Sequence, residues 1–149
     1  PLARRLIASK LRAQIRLLAA ALAQRPDSRK PLHDALETLR RLAPEVAEAA
    51  DRDVLLGLEG AAAAAHYAAL TALFPPALHF TGRNRRPPRD PVNACLSLGY
   101  TLLHFEAVRA AHGAGLDPLL GFYHEPAYGR ESLACDLLEP LRPRLDGWV

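Results

Sequence analysis

Apolar residues in this chain recur every three or four positions and almost nowhere alternate with polar ones. A period near 3.6 lays side chains along one face of a helix, whereas a half-buried strand needs a period of two. Leu32, Leu36 and Leu39 form such a stripe, and Leu6, Lys10, Gln14, Leu17 and Leu18 fall at helical spacing nearer the start. Alanine and leucine, the strong helix formers, dominate, and the 13 prolines mark breaks between helical stretches. The pattern predicts an all-α multi-helix bundle, one domain over residues 1–149. Helices are expected over residues 2–24, about 31–42, about 51–74, about 92–112 and, briefly, 131–139. Pro44 is expected to interrupt the second and open a short helix through Ala50. The third, DRDVLLGLEGAAAAAHYAALTALF, is nearly all apolar or small, so burial on most sides is expected.

A formal net charge of +3 permits a nucleic-acid partner without demanding one. All but two of the 19 basic residues are arginine, Lys10 and Lys30 being the exceptions. Arginine suits bidentate phosphate contacts, although a GC-rich coding sequence would produce the same bias. Cys95 and Cys135 belong to no paired motif and lie in apolar helical stretches, which predicts buried free thiols in a reducing cytoplasm. No signal peptide is evident. The alanine run Ala61 to Ala65 is broken by His66 and Tyr67, so no membrane span is expected. The first residue is Pro1, which suggests a piece of a longer protein.

Four features could carry chemistry. Glu59 lies within the most apolar helix, beside Gly60 and five alanines, where an ionised carboxylate is costly unless paired. A salt bridge to an arginine would serve as well as a ligand. Asp136 and Glu139, three apart, put two carboxylates on one face of a helix whose flanks are Leu133, Ala134, Leu137 and Leu138. Pro140 should end that helix and fix where Glu139 points. His124 sits in a loop between Gly121 and Gly129. With Glu125 it suggests a zinc-protease motif, but Tyr128 stands where the second histidine is required, so that reading fails. Finally, Arg83, Arg85, Arg86 and Arg89 crowd one loop and create a local positive field, with Asp90 as one neutralising group. Carboxylates and a histidine together can hold Mg²⁺ or Mn²⁺, a metal that polarises a phosphodiester while arginines hold the backbone.

Four blocks then resemble one family, the CRISPR-associated spacer integrases. They are LEGAAAAAHY (Leu58 to Tyr67), RNRRPPRDPVNACLSLGYTLL (Arg83 to Leu103), GLDPLLGFYH (Gly115 to His124) and GRESLACDLLEPLRP (Gly129 to Pro143). The stretch LIASKLRAQ is similar, more loosely, to the family's lysine-glutamine helix through Lys10 and Gln14. The resemblance implies the helical catalytic C-terminal domain of such an enzyme, without the family's N-terminal β-rich dimerising domain. It implies Glu59, His124 and Glu139 as ligands of Mg²⁺ or Mn²⁺, with Asp136 supporting them, and Arg83, Arg85 and Arg86 as DNA contacts. The implied activity is metal-dependent cleavage and joining of DNA, in which short spacer DNA enters CRISPR repeat DNA by transesterification. The implied partners are DNA, a second copy in the full-length protein and a small companion adaptation protein, in a prokaryotic cytoplasm and away from membranes. A metal nuclease that does not integrate, or a catalytically silent DNA-binding scaffold, are the alternatives.

Overall fold

A computed structural model describes residues 1–84 and 87–149. Among them there is no β-strand, only an isolated bridge between Ala127 and Arg130. The architecture is the helical bundle expected: α1 (Leu2–Gln24), α2 (Arg29–Glu48), α3 (Arg52–Thr71), α4 (Pro91–Gly113), α5 (Ser132–Leu138) and α6 (Arg142–Asp146). A tight turn led by Pro26 folds α2 back onto α1, and α3 packs against both. Ile7, Leu11 and Leu18 of α1 meet Leu32, Leu36 and Leu39 of α2 in the core, all 0–2 % exposed.

Pro44 does not break the second helix, which continues through it to Glu48. An interior proline costs about 3 kcal/mol, because it lacks the N–H that would bond the carbonyl four residues back. The apolar stripe continues across it, with Leu42 before and Val46 after both buried. Burying that pair contributes roughly 3–6 kcal/mol, enough to offset the break.

α3 also departs from expectation. Asp51 caps it by accepting the Val54 N–H at 2.9 Å, but only one stripe is buried: Leu55, Ala62, His66, Ala69 and Leu70. Val54, Gly57, Gly60, Ala61, Ala64 and Ala68 face outward. Alanine and glycine lose little by exposure, so an apolar composition did not require an all-round core position. By length and composition alone α3 could cross a membrane, contrary to the expectation that no segment could; here its buried stripe packs on α1 and α2.

α4 begins at Pro91 with Asp90 as its cap, accepting both the backbone N–H (2.8 Å) and the side-chain amide (2.6 Å) of Asn93. It packs against α5 and α6. Neither cysteine is buried: Cys95 lies on the same outward face of α4 as Leu98, Leu102 and Phe105, and Cys135 is partly exposed. Both are free thiols. After α5 a single tight turn, 139–141, carries Glu139 and Pro140 onto α1 before α6 begins. That turn positions the site.

Candidate functional site

One cavity of about 270 Å³ collects residues from α1, α3, the loop before α5 and the C-terminal turns. α1 contributes Lys10 and Gln14, α3 contributes Glu59 and Tyr67, the 114–131 loop contributes His124, and the C-terminal turns contribute Glu139, Arg142 and Asp146. Glu59, His124 and Glu139, far apart in the chain, thus line a single space.

Lys10 stands between the two carboxylates. Its Nζ is 2.5 Å from Glu59 Oε1 and 2.6 Å from Glu139 Oε2. The remaining oxygens are also bonded: Tyr123 donates its hydroxyl to Glu59 Oε2 at 2.5 Å, and Arg142 donates Nε to Glu139 Oε1 at 2.9 Å. Burial pushes the Lys10 ammonium toward losing its proton, but Glu139 and Glu59 outweigh it and hold its pKa above the ordinary value. Burial pushes Glu59 upward, and Lys10, the Tyr123 hydroxyl and His124 together bring it below the ordinary value.

Asp136 is fully buried and handles its charge by hydrogen bonds. Its oxygens accept the backbone N–H groups of Phe122 (2.7 Å), Tyr123 (3.0 Å) and His124 (3.0 Å). It also lies 2.7 Å from His124 Nδ1. Burial raises the Asp136 pKa, and the His124 ring and these N–H groups more than reverse that. A carboxylate can only accept, so Nδ1 carries the hydrogen, and Nε2 is the ring nitrogen that can offer a lone pair to a metal. Gly121 is what lets this loop close down. A Cβ there would meet the His124 carbonyl at 2.6 Å and the Ser132 Cβ at 2.7 Å, so any side chain would lift the loop off α5.

Among the described residues, no three His, Cys, Asp or Glu side chains are drawn together in a metal-holding cluster. The ammonium of Lys10 holds the place between the carboxylates that a cation would take. The donor set nonetheless suits a divalent ion: two carboxylates already arranged about a positive charge, and an imidazole whose orientation a buried carboxylate fixes.

A second polar group adjoins the first. The Tyr67 and Tyr100 hydroxyls are 2.7 Å apart, Tyr100 donates to Asp146 Oδ1, and His66 Nε2 lies 2.9 Å from Asp146 Oδ2. Arg142 links the two groups, its guanidinium 4.7 Å from the Tyr100 ring centroid while it pairs with Glu139. Of these residues only Glu139 was singled out as a site residue in the sequence, as Lys10 and Gln14 were, more loosely, on the carboxylate side. The available signal was polar residues inside apolar helical runs, His66 and Tyr67 above all.

Arg83 is tied to α4 rather than extended into solvent. Its guanidinium donates to Asn93 Oδ1 at 2.8 Å and to Ser97 Oγ at 3.1 Å. Arg85 and Arg86 lie outside the described residues.

Residues 1–149 match the family described as CRISPR associated protein Cas1. A relative from Thermodesulfovibrio yellowstonii, a CRISPR-associated endonuclease Cas1, is 55% identical over 97 residues, 65% of this chain and 30% of its own length. Among solved structures, a chain of a partial Cas6-RT-Cas1–Cas2 complex superposes with a TM-score of 0.88 at 33% identity, over 99% of this chain and 43% of its own. A casposase bound to its integration product gives 0.76 at 30% identity, over 97% and 40%. The chain therefore spans less than half the length of each of these.

Proposed function

The chain belongs to the CRISPR-associated Cas1 family, and on that premise we propose that it is the part of a DNA-cutting and DNA-joining enzyme that holds the metal and the reacting phosphodiester. The observation carrying this reading is the convergence of Glu59, His124 and Glu139 on one cavity with a positive charge held between the carboxylates. Mg²⁺ or Mn²⁺ bound by these three would supply Lewis-acid stabilisation of charge on a phosphodiester under attack. Asp136 fixes the ring of His124 so that Nε2 is presented as a lone pair. Tyr123 and Arg142 orient one carboxylate each. Arg83, Arg85 and Arg86 contact the DNA backbone, and for Arg83 that contact is made by a guanidinium also held by Asn93 and Ser97 of α4.

The reaction is transfer of a short DNA strand into CRISPR repeat DNA by its 3′-hydroxyl. Support comes from the endonuclease relative and the integration-product complex of the casposase. A small companion protein of the adaptation complex is the expected partner, as in the Cas1–Cas2 assembly of the structural neighbour, together with a second copy of the full-length chain.

The test is strand transfer by the full-length protein with a pre-made 3′-hydroxyl donor, with and without Mn²⁺, beside Mn²⁺ binding by calorimetry. Micromolar Mn²⁺ binding and Mn²⁺-dependent joining are expected. Cleavage without joining would leave a nuclease, and neither binding nor cleavage would leave a DNA-binding scaffold.

A further inference from the structure

The loop that carries His124 is held from two sides, and the two sides divide its backbone between them. Asp136 of α5 takes the N–H groups of Phe122, Tyr123 and His124. Arg52, the first residue of α3, takes a carbonyl: its Nε donates to the Tyr123 oxygen at 2.9 Å. The same guanidinium pairs through Nη1 with the Glu125 carboxylate. The Glu125 carbonyl in turn accepts from the Ser132 hydroxyl at 2.9 Å and from the Arg130 guanidinium. The residues on either side of His124 are thus both tied down. A guanidinium suits this task, because its donors lie in one plane and face two acceptors at once.

Arg52 stands seven residues before Glu59 on the same helix. At 100° per residue, seven steps fall about 20° short of two full turns, so both side chains leave one face of α3, about 10 Å apart along its axis. Tyr123 spans that interval. Its carbonyl accepts from Arg52, and its phenol donates to Glu59 Oε2 at 2.5 Å. The ring is 1 % exposed, so close packing leaves it no room to swing. Tyr123 is therefore a brace fixed to α3 at both of its ends, and His124 is the next residue. Asp136 sets which way the His124 ring turns. It lies on α5 and does not tie the loop to the helix that bears Glu59; Arg52 does.

We propose that Arg52 is a positioning residue that sets the spacing between His124 and Glu59, and with it the fit of the pair to a divalent cation. This rests on the metal-binding reading and adds a residue outside the cavity that governs it. Arg52 does not line the cavity, and it acts through the Tyr123 carbonyl. Glu125 is exposed and holds the other edge of the guanidinium, so its loss leaves the bond to the carbonyl in place. A purely structural Arg52 would stabilise the fold and leave the metal affinity of the folded protein alone, and the experiment separates the two roles.

Full-length wild type and variants are titrated with Mn²⁺ by calorimetry, well below their metal-free melting temperatures. Arg52→Ala should bind Mn²⁺ about tenfold more weakly, as when a group that orients a metal ligand is removed. Arg52→Lys keeps the charge facing Glu125 but has no planar fork to serve the carbonyl as well. It should bind as weakly as Arg52→Ala, and it carries the test should the alanine variant fold poorly. Glu125→Gln, which removes only an exposed ion pair, should stay within about threefold of the wild type. Wild-type affinity in both Arg52 variants, with only the melting temperature lowered, overturns the proposal. So does an equal loss in Glu125→Gln, which would assign the effect to charge and not to the carbonyl bond. Absence of Mn²⁺ binding by the wild type would instead sink the metal-binding reading itself.

Discussion

The two ends of the cavity solve the burial of negative charge in opposite ways. At one end Glu59 and Glu139 are compensated by a point charge, the Lys10 ammonium, at the end of a four-carbon stem. At the other end Asp146 is compensated by two directional donors, His66 and Tyr100, each on a rigid ring. A point charge can be exchanged for another of similar size. A directional hydrogen bond cannot, because its hydrogen must face one way. On the proposed metal-binding reading, the carboxylate end suits the exchange of one cation for another, whereas the tyrosine end keeps one polarity.

The largest expected effect breaks the first end. In the full-length protein, Glu59→Ala, His124→Ala or Glu139→Ala should each lower metal-dependent cleavage and joining on the order of a hundredfold or more, with DNA affinity nearly unchanged. Single-turnover assays beside a binding titration would show it. Asp136→Ala should cost less, about ten- to a hundredfold, because it acts through the His124 ring; a larger loss than at His124 itself would contradict that order.

Lys10→Met tests exchange directly. Removing the shared cation leaves two carboxylates facing each other, which should destabilise the metal-free protein by about 3–5 kcal/mol. Mn²⁺ should then raise the melting temperature of the variant by more than it raises that of the wild type. An unchanged metal-free melting curve would mean the ammonium contributes nothing there. Asp146→Asn should sharpen the contrast from the other side. We expect a loss of about 1–3 kcal/mol from mispaired His66 and Tyr100, with no gain in the Mn²⁺-induced shift.

The smallest effect lies away from the cavity. Asp90→Ala removes the cap of α4 and should cost about 1 kcal/mol. Burial raises the Asp90 pKa, and the Asn93 side chain and backbone and Asn84 outweigh it, so the folded value lies below the ordinary one. Its stabilisation is therefore complete above the unfolded carboxylate pKa and fades as pH falls through the folded value. Acid titration of wild type and D90A should show the two stabilities converging below about pH 4.

Much of this was legible beforehand. Leucine spacing gave the helices, and Glu59 was conspicuous because a lone carboxylate in an alanine helix needs a partner. Pro44 misled because a break signal is local, while the stripe that overrides it needs Val46 two residues beyond. The burial of α3 was overestimated because alanine reads as apolar in a sequence and behaves as neutral on a surface. The tyrosine end was unreadable for a different reason. His66, Tyr67, Tyr100 and Asp146 come from three helices, and no spacing along the chain announces that α6 will deliver an aspartate beneath α3. Lys10 could be seen as a polar residue in an apolar stripe, but its partners lie 49 and 129 positions away.

α3 carries residues of both ends, with Glu59 at one and His66 and Tyr67 at the other, and the alanines Ala61 to Ala65 between them. At 1.5 Å per residue the helix sets Glu59 and Tyr67 about 12 Å apart, and at 100° per residue it sets the angle between them. The alanine run is therefore a ruler. Its letters can be exchanged for other small helix formers, since much of that stretch faces outward. Its length cannot change by even one residue, because the added 100° would swing Tyr67 out of register with the carboxylate while leaving the helix itself intact.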